Sequence, residues 1–428
     1  MLRRGVEGLM VRSALLAGIV LLALTSCGSG GPAVAVAHPG EVRAPDPRSP
    51  AVVTPGDEAA LSAGNSAFAG RLLGLLARAE SGVALSPLSI SDALAMTFPG
   101  AQGKTASQIA TALDFRLTPP RLAAAFNALA QSLGTINRPG VSLSIANALY
   151  GQRGMLFRPA FLSLLARDYG AGMRIVDFAN AADQARAAIN AWVSQRTREK
   201  IPSLLHPEDI DALTRLVLPN AVYLHAKWQS PFYKSMTSPA PFHAPGGTVQ
   251  VPTMNQNGMF PYARRAGYQA LELPYRGGRL AFDVLLPDPG RLPSLLDRIS
   301  TRGPLDLLQG LRQSPIELSL PKLLLRTRFE LPPTLEALGM RSAFDPARAD
   351  LSGIAGRPGD LYIKTVVHEA YLHVDEAGTE AAAATAVVTE GVSSIGGTVV
   401  FDVDRPFVFV LRDRKTGAIL FLGTVYHP

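Results

Sequence analysis

Apolar side chains recur at helical spacing in the first half of the chain and in short continuous runs in the second half. Leu61, Phe68, Leu72 and Leu76 are separated by four or seven residues, so they would lie on one face of a helix. This pattern predicts an amphipathic helix at residues 61–79. The same spacing predicts further helices at residues 89–96, 104–113, 120–133, 159–167 and 181–198.

After residue 214 the pattern changes to short β-branched and aromatic runs between glycines and prolines, which is typical of strands. Two apolar runs, 407–411 and 418–426, flank a polar turn and predict a buried hairpin. Helices come first and strands follow without regular alternation, so the pattern predicts an α+β fold with large mixed sheets. The other predicted strands are residues 216–224, 280–286, 316–320 and 361–374.

The N-terminus has the composition of a bacterial secretion signal. Arg3, Arg4 and Arg12 precede the apolar run 14–24, which is shorter than the roughly 20 residues that a membrane-spanning helix needs. The run ends in Leu-Thr-Ser-Cys, which resembles a lipobox, so we expect residues 1–26 to be removed and Cys27 to be acylated. The alternative is an ordinary signal peptide with an accidental cysteine, but Cys27 is the only cysteine in the chain.

Residues 27–56 are rich in Gly, Ala, Pro and Val and lack apolar periodicity, so we predict a disordered tether there. Residues 57–428 then form the folded part. Such a protein would be extracellular, either anchored to the outer face of the cytoplasmic membrane through Cys27 or secreted.

Composition excludes several classes of function. A single cysteine excludes a disulfide framework and a multi-thiolate metal site. The net charge of +7 is spread thinly along the chain, which argues against nucleic-acid binding. His368 and His373 imitate a zinc-protease motif, but they are five residues apart in a predicted strand and would face opposite ways. No Gly-x-Ser-x-Gly motif occurs, so we expect neither an enzyme nor a cofactor or metal site.

The most informative segment is residues 375–388, which read DEAGTEAAAATAVV. From residue 381 to residue 388 it contains no charge, no proline and no bulky side chain. Alanine favours a helix and valine favours a strand, so propensity alone does not decide its structure. A small-residue helix is one interpretation. The other is a strand in waiting, in which Thr379 and alternate residues face one way while Glu380 and its alternates face the other.

Several motifs together resemble the serpin family of serine protease inhibitors. They extend from residue 86 to residue 407 in the order that the family has. The resemblance implies the serpin fold over 57–428 as one domain, with helices around large mixed sheets and an exposed reactive loop. The motifs are Ser-Pro-Leu-Ser-Ile at 86–90, Asn-Ala-Val-Tyr-Leu at 220–224, Lys-Trp at 227–228, Leu-Pro-Lys at 320–322, His-Glu-Ala at 368–370, Glu-Ala-Gly-Thr-Glu-Ala at 376–381 and Asp-Arg-Pro-Phe at 404–407.

The resemblance also assigns roles to residues. It implies that a polar cluster beneath the main sheet, the shutter, consists of Ser86, Ser89, Asn220 and His368. It places Trp228 and Lys322, with the carboxylate of Glu376, at the breach, where the loop enters the sheet. The hinge that would enter comprises Glu376, Ala377, Gly378, Thr379, Glu380, Ala381, Ala382, Ala383, Ala384 and Thr385.

The same resemblance locates the bond that a target protease would attack. Counting from Glu376 places this bait bond at Val392–Ser393, whereas counting back from the Arg-Pro-Phe motif favours a position nearer Ser394 or Ile395. No Lys or Arg occurs between Glu380 and Arg405, so a trypsin-like protease would find no basic residue for its acidic pocket. We therefore expect an elastase-like or subtilisin-like serine protease as the covalent partner.

Two other classes of function remain to be weighed. A non-inhibitory serpin could act as a binding or scaffold protein at the cell surface, but such relatives often carry bulky, charged or proline residues in the hinge. A hydrolase would need a nucleophile motif that the sequence lacks. We expect a monomeric inhibitor that requires no cofactor, binds no nucleic acid and contacts the membrane only through Cys27.

Overall fold

Two large β-sheets with helices packed on them form the fold in this computed structural model, which describes residues 40–77, 82–380 and 397–428. All of these residues fall within one unit of the chain. In the described ranges the α-helices are α1 (Pro55–Leu76), α2 (Pro87–Thr97), α3 (Gly103–Leu113), α4 (Pro119–Gly134), α5 (Pro159–Leu164), α6 (Phe178–Arg196), α7 (Leu292–Arg302), α8 (Pro304–Leu307) and α9 (Pro332–Ala337).

The strands of the described residues divide between two mixed sheets. Sheet A has the order β1-β5-β4-β6-β14-β13-β12, with β3 also paired to β6. Sheet B has the order β15-β11-β8-β9-β10-β16-β17-β2, with β7 paired to β8. The strands are β1 (Glu41–Val42), β2 (Val83–Leu85), β3 (Val141–Asn147), β4 (Leu149–Gln152), β5 (Met173–Val176), β6 (Leu216–Lys227), β7 (Ser238–Ala244), β8 (Gly247–Arg265), β9 (Tyr268–Pro274), β10 (Leu280–Pro287), β11 (Arg312–Pro321), β12 (Leu323–Glu330), β13 (Thr365–Asp375), β14 (Gly378–Thr379), β15 (Val399–Asp402), β16 (Phe407–Asp413) and β17 (Ile419–Val425).

Most of the predicted elements are present with small shifts at their ends. Helix α1 begins at Pro55 and not at Leu61, because the Thr54 side chain caps it by accepting from the backbone N–H of Asp57 at 3.1 Å. The predicted terminal hairpin is confirmed as β16 and β17, which pair antiparallel with almost entirely buried side chains. The α+β fold class is confirmed as well.

The predicted tether boundary at residue 57 is wrong for residues 40–56. Glu41 in β1 pairs with Arg174 in β5 and extends sheet A by one strand. Farther along, the Ser49 N–H donates to the carbonyl of Arg167 at 2.7 Å, and the Asn127 side chain on α4 donates to the Ser49 carbonyl at 3.0 Å. The composition of this segment predicted disorder, because the residues that hold it in place lie far away in the sequence and leave no local pattern. The rest of the predicted leader and tether lies outside the described residues.

The central strands of sheet A, β6 and β13, diverge along their length and leave a gap between them. Strands β6 and β13 are parallel neighbours from Thr365 opposite Val217 to Ala370 opposite Val222. Beyond that point they separate, and β14 lies between them, with Thr379 opposite both Val374 and Ala226. We call the region between residues 223–226 of β6 and residues 371–374 of β13 the fork.

Candidate functional site

The hinge begins directly after β13 and enters the fork as β14. The backbone N–H groups of Ala377 and Gly378 donate to the Asp375 carboxylate at 2.9 and 3.2 Å, which closes a turn at the end of β13. Gly378 has φ +148°, and a Cβ at this residue would lie 2.1 Å from the carbonyl oxygen of Ala226. A side chain cannot be accommodated there, so glycine is what allows the chain to pass so close to β6.

Thr379 in the hinge faces the core. It is 1% exposed, and its hydroxyl contacts the hydroxyl of Tyr275. The Tyr275 ring stacks on Trp228 with 4.5 Å between ring centroids. Burial raises the pKa of Tyr275 well above its ordinary value, so the phenol keeps its proton and can donate. The Glu380 side chain, just beyond β14, interacts with Tyr223 on β6.

Three side chains surround the turn at the breach. The Lys322 ammonium lies 3.0 and 3.3 Å from the two Glu376 carboxylate oxygens, and the Thr237 hydroxyl donates to one of them at 2.9 Å. Burial alone would raise the pKa of Glu376, but hydrogen bonds from the backbone, Lys322 and Thr237 outweigh it and lower that pKa. The Trp228 indole N–H donates to the Asp375 carbonyl at 2.9 Å. The structure thus brings Glu376, Lys322 and Trp228 together.

The four predicted shutter residues lie in one buried hydrogen-bond network, whose centre is Asn147 on β3. Asn147 Oδ1 accepts from the Ser89 hydroxyl at 2.8 Å and from Asn220 Nδ2. Asn220 Oδ1 accepts from His368 Nδ1, while His368 Nε2 accepts from the Ser86 N–H at 3.0 Å. Burial lowers the pKa of His368 to about 3, so the ring is neutral with its proton on Nδ1. The contact between Asn220 and His368 joins β6 to β13.

Sequence reasoning missed Asn147 and a carboxylate beside it. Asn147 Nδ2 donates to Asp92 Oδ2 at 2.7 Å. Burial raises the pKa of Asp92 to about 6, although this hydrogen bond and the positive charge of Arg48 oppose the shift. Asp92 and Arg48 both line a cavity of about 260 Å³ between α2, α4 and β3. A charged residue within the otherwise uncharged helix 87–97 was the available signal for Asp92, whereas nothing in the sequence pointed to Asn147.

Several predicted site residues lie outside the described residues. These are Cys27, the hinge residues Ala381, Ala382, Ala383, Ala384 and Thr385, and the bait candidates Val392, Ser393, Ser394 and Ile395. Within the described part of the chain, no group of three or more His, Cys, Asp or Glu side chains is arranged to hold a metal ion. His368 and His373 are both part of strand β13, so the helix that a zinc-protease motif requires is not formed.

Comparison with known families gives a match over most of the chain. The family model described as "Serpin (serine protease inhibitor)" matches residues 63–428. This chain belongs to the serpin family. The match covers all of the described residues from Ala63 onwards, so the serpin fold is present over nearly the whole folded part.

Individual serpins resemble this chain over most of their length. The leukocyte elastase inhibitor of Bos taurus is 38% identical, and the match covers 86% of this chain and 99% of that protein. An uncharacterized serpin-like protein of Thermococcus kodakarensis is 37% identical over 82% of each chain. Among solved structures, the thermophilic serpin tengpin in its native state superposes with a TM-score of 0.80 at 27% identity, covering 90% of this chain and 97% of tengpin.

Proposed function

We propose that this serpin inhibits serine proteases as a suicide substrate. A target protease attacks the reactive loop and forms an acyl-enzyme, and the hinge then inserts between β6 and β13, carrying the protease with it before deacylation. The observation that carries this proposal is β14: Gly378 and Thr379 already pair with both β13 and β6. Insertion therefore continues a strand that has begun.

Insertion is favourable because it increases the number of strand pairings. Residues 365–370 of β13 now pair directly with residues 217–222 of β6. An inserted strand would replace this one parallel ladder with two antiparallel ladders. A net gain of about ten hydrogen bonds at roughly 1 kcal/mol each would contribute on the order of 10 kcal/mol before packing. The alanines at 381–384 are small enough to be buried in the sheet without overpacking it.

We further infer that the target is elastase-like or subtilisin-like. The residues between Glu380 and Arg405 include no Lys or Arg, while the bait candidates Val392 and Ile395 are apolar and suit a shallow apolar pocket. The similarity to leukocyte elastase inhibitors supports the same target class. The bond attacked is Val392–Ser393 or one of the next bonds up to Ile395.

We propose a location outside the cell, at the outer face of the cytoplasmic membrane. The support is the sequence of residues 1–27, with its basic start, its short apolar run and its terminal cysteine. In the described ranges no helix is long and apolar enough to cross a membrane. Replacing Cys27 with serine should release the protein from the membrane fraction into the medium, whereas unchanged membrane association would contradict acylation at Cys27.

The inhibitory mechanism is tested by mixing the protein with pancreatic elastase and, in parallel, with trypsin. We expect an SDS-stable adduct with elastase and none with trypsin. Mass spectrometry of the released C-terminal fragment should place the cut between Glu390 and Gly397. Slow proteolysis without an adduct would favour the non-inhibitory binding function, and a cut outside this window would contradict the placement of the bait bond.

A further inference from the structure

Residues with a strained backbone are concentrated around Glu380, at the end of β14. Among the described residues, those other than glycine with a left-handed backbone are Asp114, Arg198, Glu199 and Glu380, with φ values of 55°, 50°, 63° and 52°. Glu380 is the first residue after β14, and Arg198 and Glu199 immediately precede Lys200, which contacts it. A left-handed backbone at a residue other than glycine costs roughly 1–2 kcal/mol. Such residues lie on both sides of the contact between Lys200 and Glu380, so interactions with the surrounding structure must compensate for this cost.

An ion pair joins these two strained segments. Lys200 Nζ lies 2.6 Å from Glu380 Oε1, and the Glu380 side chain is 9% exposed. The hydrogen bond and charge of Glu380 raise the pKa of Lys200 despite partial burial. The ammonium also lies 5.5 Å from the centre of the Tyr371 ring. A buried carboxylate is costly without a cation beside it, and the ammonium of Lys200, whose side chain is 41% exposed, supplies that charge.

The pair lies in the fork, at the level where β6 and β13 part. The backbone N–H of Glu380 donates to the carbonyl of His373 on β13 at 2.8 Å. Its carbonyl contacts His225 Nδ1 on β6. Its side chain interacts with Tyr223, also on β6. Glu380 therefore bridges both arms of the fork at the point where β14 ends.

We propose that Lys200 and Glu380 form a stop that ends insertion at Thr379 while the loop is uncleaved. This inference rests on the proposed function, because it concerns the same loop. For the loop to insert beyond Thr379, the backbone of Glu380 must change from the left-handed to the extended conformation. The Glu380 carboxylate must then separate from Lys200, or the Lys200 side chain must move with it. Lys200 and Glu380 are thus positioning residues that set how deeply the hinge is inserted before a protease arrives.

The stop is tested in the full-length, uncleaved protein by the rate of spontaneous loop insertion. The protein is incubated below its unfolding temperature, and the fraction converted to a more heat-resistant form is followed with time. K200M keeps the apolar stem of the side chain and E380Q keeps its size, while both remove the ion pair. We expect each variant to convert about three to ten times faster than the wild type.

Two controls distinguish the stop from a general loss of stability. K364M removes the ammonium that lies 2.8 Å from Asp211 outside the fork, and it should convert at the wild-type rate. The double variant K200E/E380K reverses the pair and should return conversion toward the wild-type rate. Equal or slower conversion of K200M and E380Q, or the same acceleration in K364M, would overturn the stop.

This readout needs no protease and is therefore separate from the test of the proposed function. If the wild type forms no adduct with elastase but K200M still converts faster, the stop stands and the inhibitory function fails. If adducts form normally but conversion is unchanged in both fork variants, the inhibitory function stands and the stop fails.

Discussion

At the scale of single residues, Thr379 occupies a position that holds only a small side chain. Tyr275 contacts its hydroxyl, and Trp228 lies against that ring. An arginine at position 379 would place a charge against these buried rings, which is strongly unfavourable. We expect Thr379→Arg to keep the hinge out of the fork and to turn the inhibitor into a substrate.

The measurement is titration of elastase with the Thr379→Arg variant. The SDS-stable adduct should disappear while cleavage of the loop continues, so that many molecules are consumed for each protease inhibited. Thr379→Val is the matched control, because it keeps the shape of the side chain and loses only the hydroxyl contact. Adduct formation by the arginine variant at the wild-type level would contradict the inserted role of this residue.

Asp92 makes stability depend on pH in a defined direction. Burial raises the pKa of Asp92 to about 6, so between about pH 4 and pH 6 the native state binds more protons than the unfolded chain. The free energy of unfolding therefore falls as pH rises through this window, by up to about 3 kcal/mol. Asp92→Asn removes this ionisation and still offers an oxygen to Asn147.

We expect denaturant unfolding to show that Asp92→Asn gains stability relative to the wild type as pH rises from about 4 to 7. Comparison with the wild type is needed because burial also raises the pKa of Asp283 to about 7, which adds its own pH dependence to both proteins. Asp306→Asn, at a partly exposed ion pair with Arg302, is the control. A difference that does not vary with pH would contradict the prediction for Asp92.

At the scale of elements, β1 and the segment behind it tie the N-terminal part of the chain to the edge of sheet A. Glu41 lies 3.4 Å from Arg174, and the Arg174 guanidinium lies 4.9 Å from the centre of the Trp192 ring on α6. Arg48 donates to Asn127 on α4 at 2.9 Å. The segment thus joins β5 and α4 and, through Arg174, contacts α6.

Two truncated chains test this attachment. A chain that starts at residue 40 keeps these contacts, while one that starts at residue 55 loses them and keeps helix α1 without its Thr54 cap. We expect the shorter chain to lose about 2–4 kcal/mol of unfolding free energy relative to the longer one. Thermal and denaturant unfolding measure the difference, and equal stabilities would show that β1 adds nothing to sheet A.

The sequence was more informative about elements than about their partners. Apolar spacing predicted α2 and α3 to within two residues at each end, because a helix is governed by local contacts. The Glu41 strand, Asn147 and the ion pair of Lys200 with Glu380 depend on residues that are distant in the chain, and no local pattern encodes such pairs. The hinge was predicted from a local motif that resembles the serpin family, and its alanine run at 381–384 lies outside the described residues.

At the scale of the whole molecule, cleavage of the loop should make the protein more stable. A gain in unfolding free energy on the order of 10 kcal/mol from insertion would raise the unfolding midpoint by roughly 12 °C for a domain of this size. Differential scanning calorimetry of intact and elastase-nicked protein measures the shift. A midpoint that stays constant or falls after nicking would mean that the severed loop remains outside sheet A.

The fork also affects how the protein behaves at high protein concentration. A gap that fits one strand with small inward side chains does not distinguish the molecule's own loop from that of a neighbour. The molecule's own loop has the advantage of covalent attachment, which corresponds to an effective concentration on the order of millimolar. Pairing between copies should therefore be negligible in dilute solution and should increase with concentration and temperature, so that the local density of copies determines how often one molecule receives the loop of another.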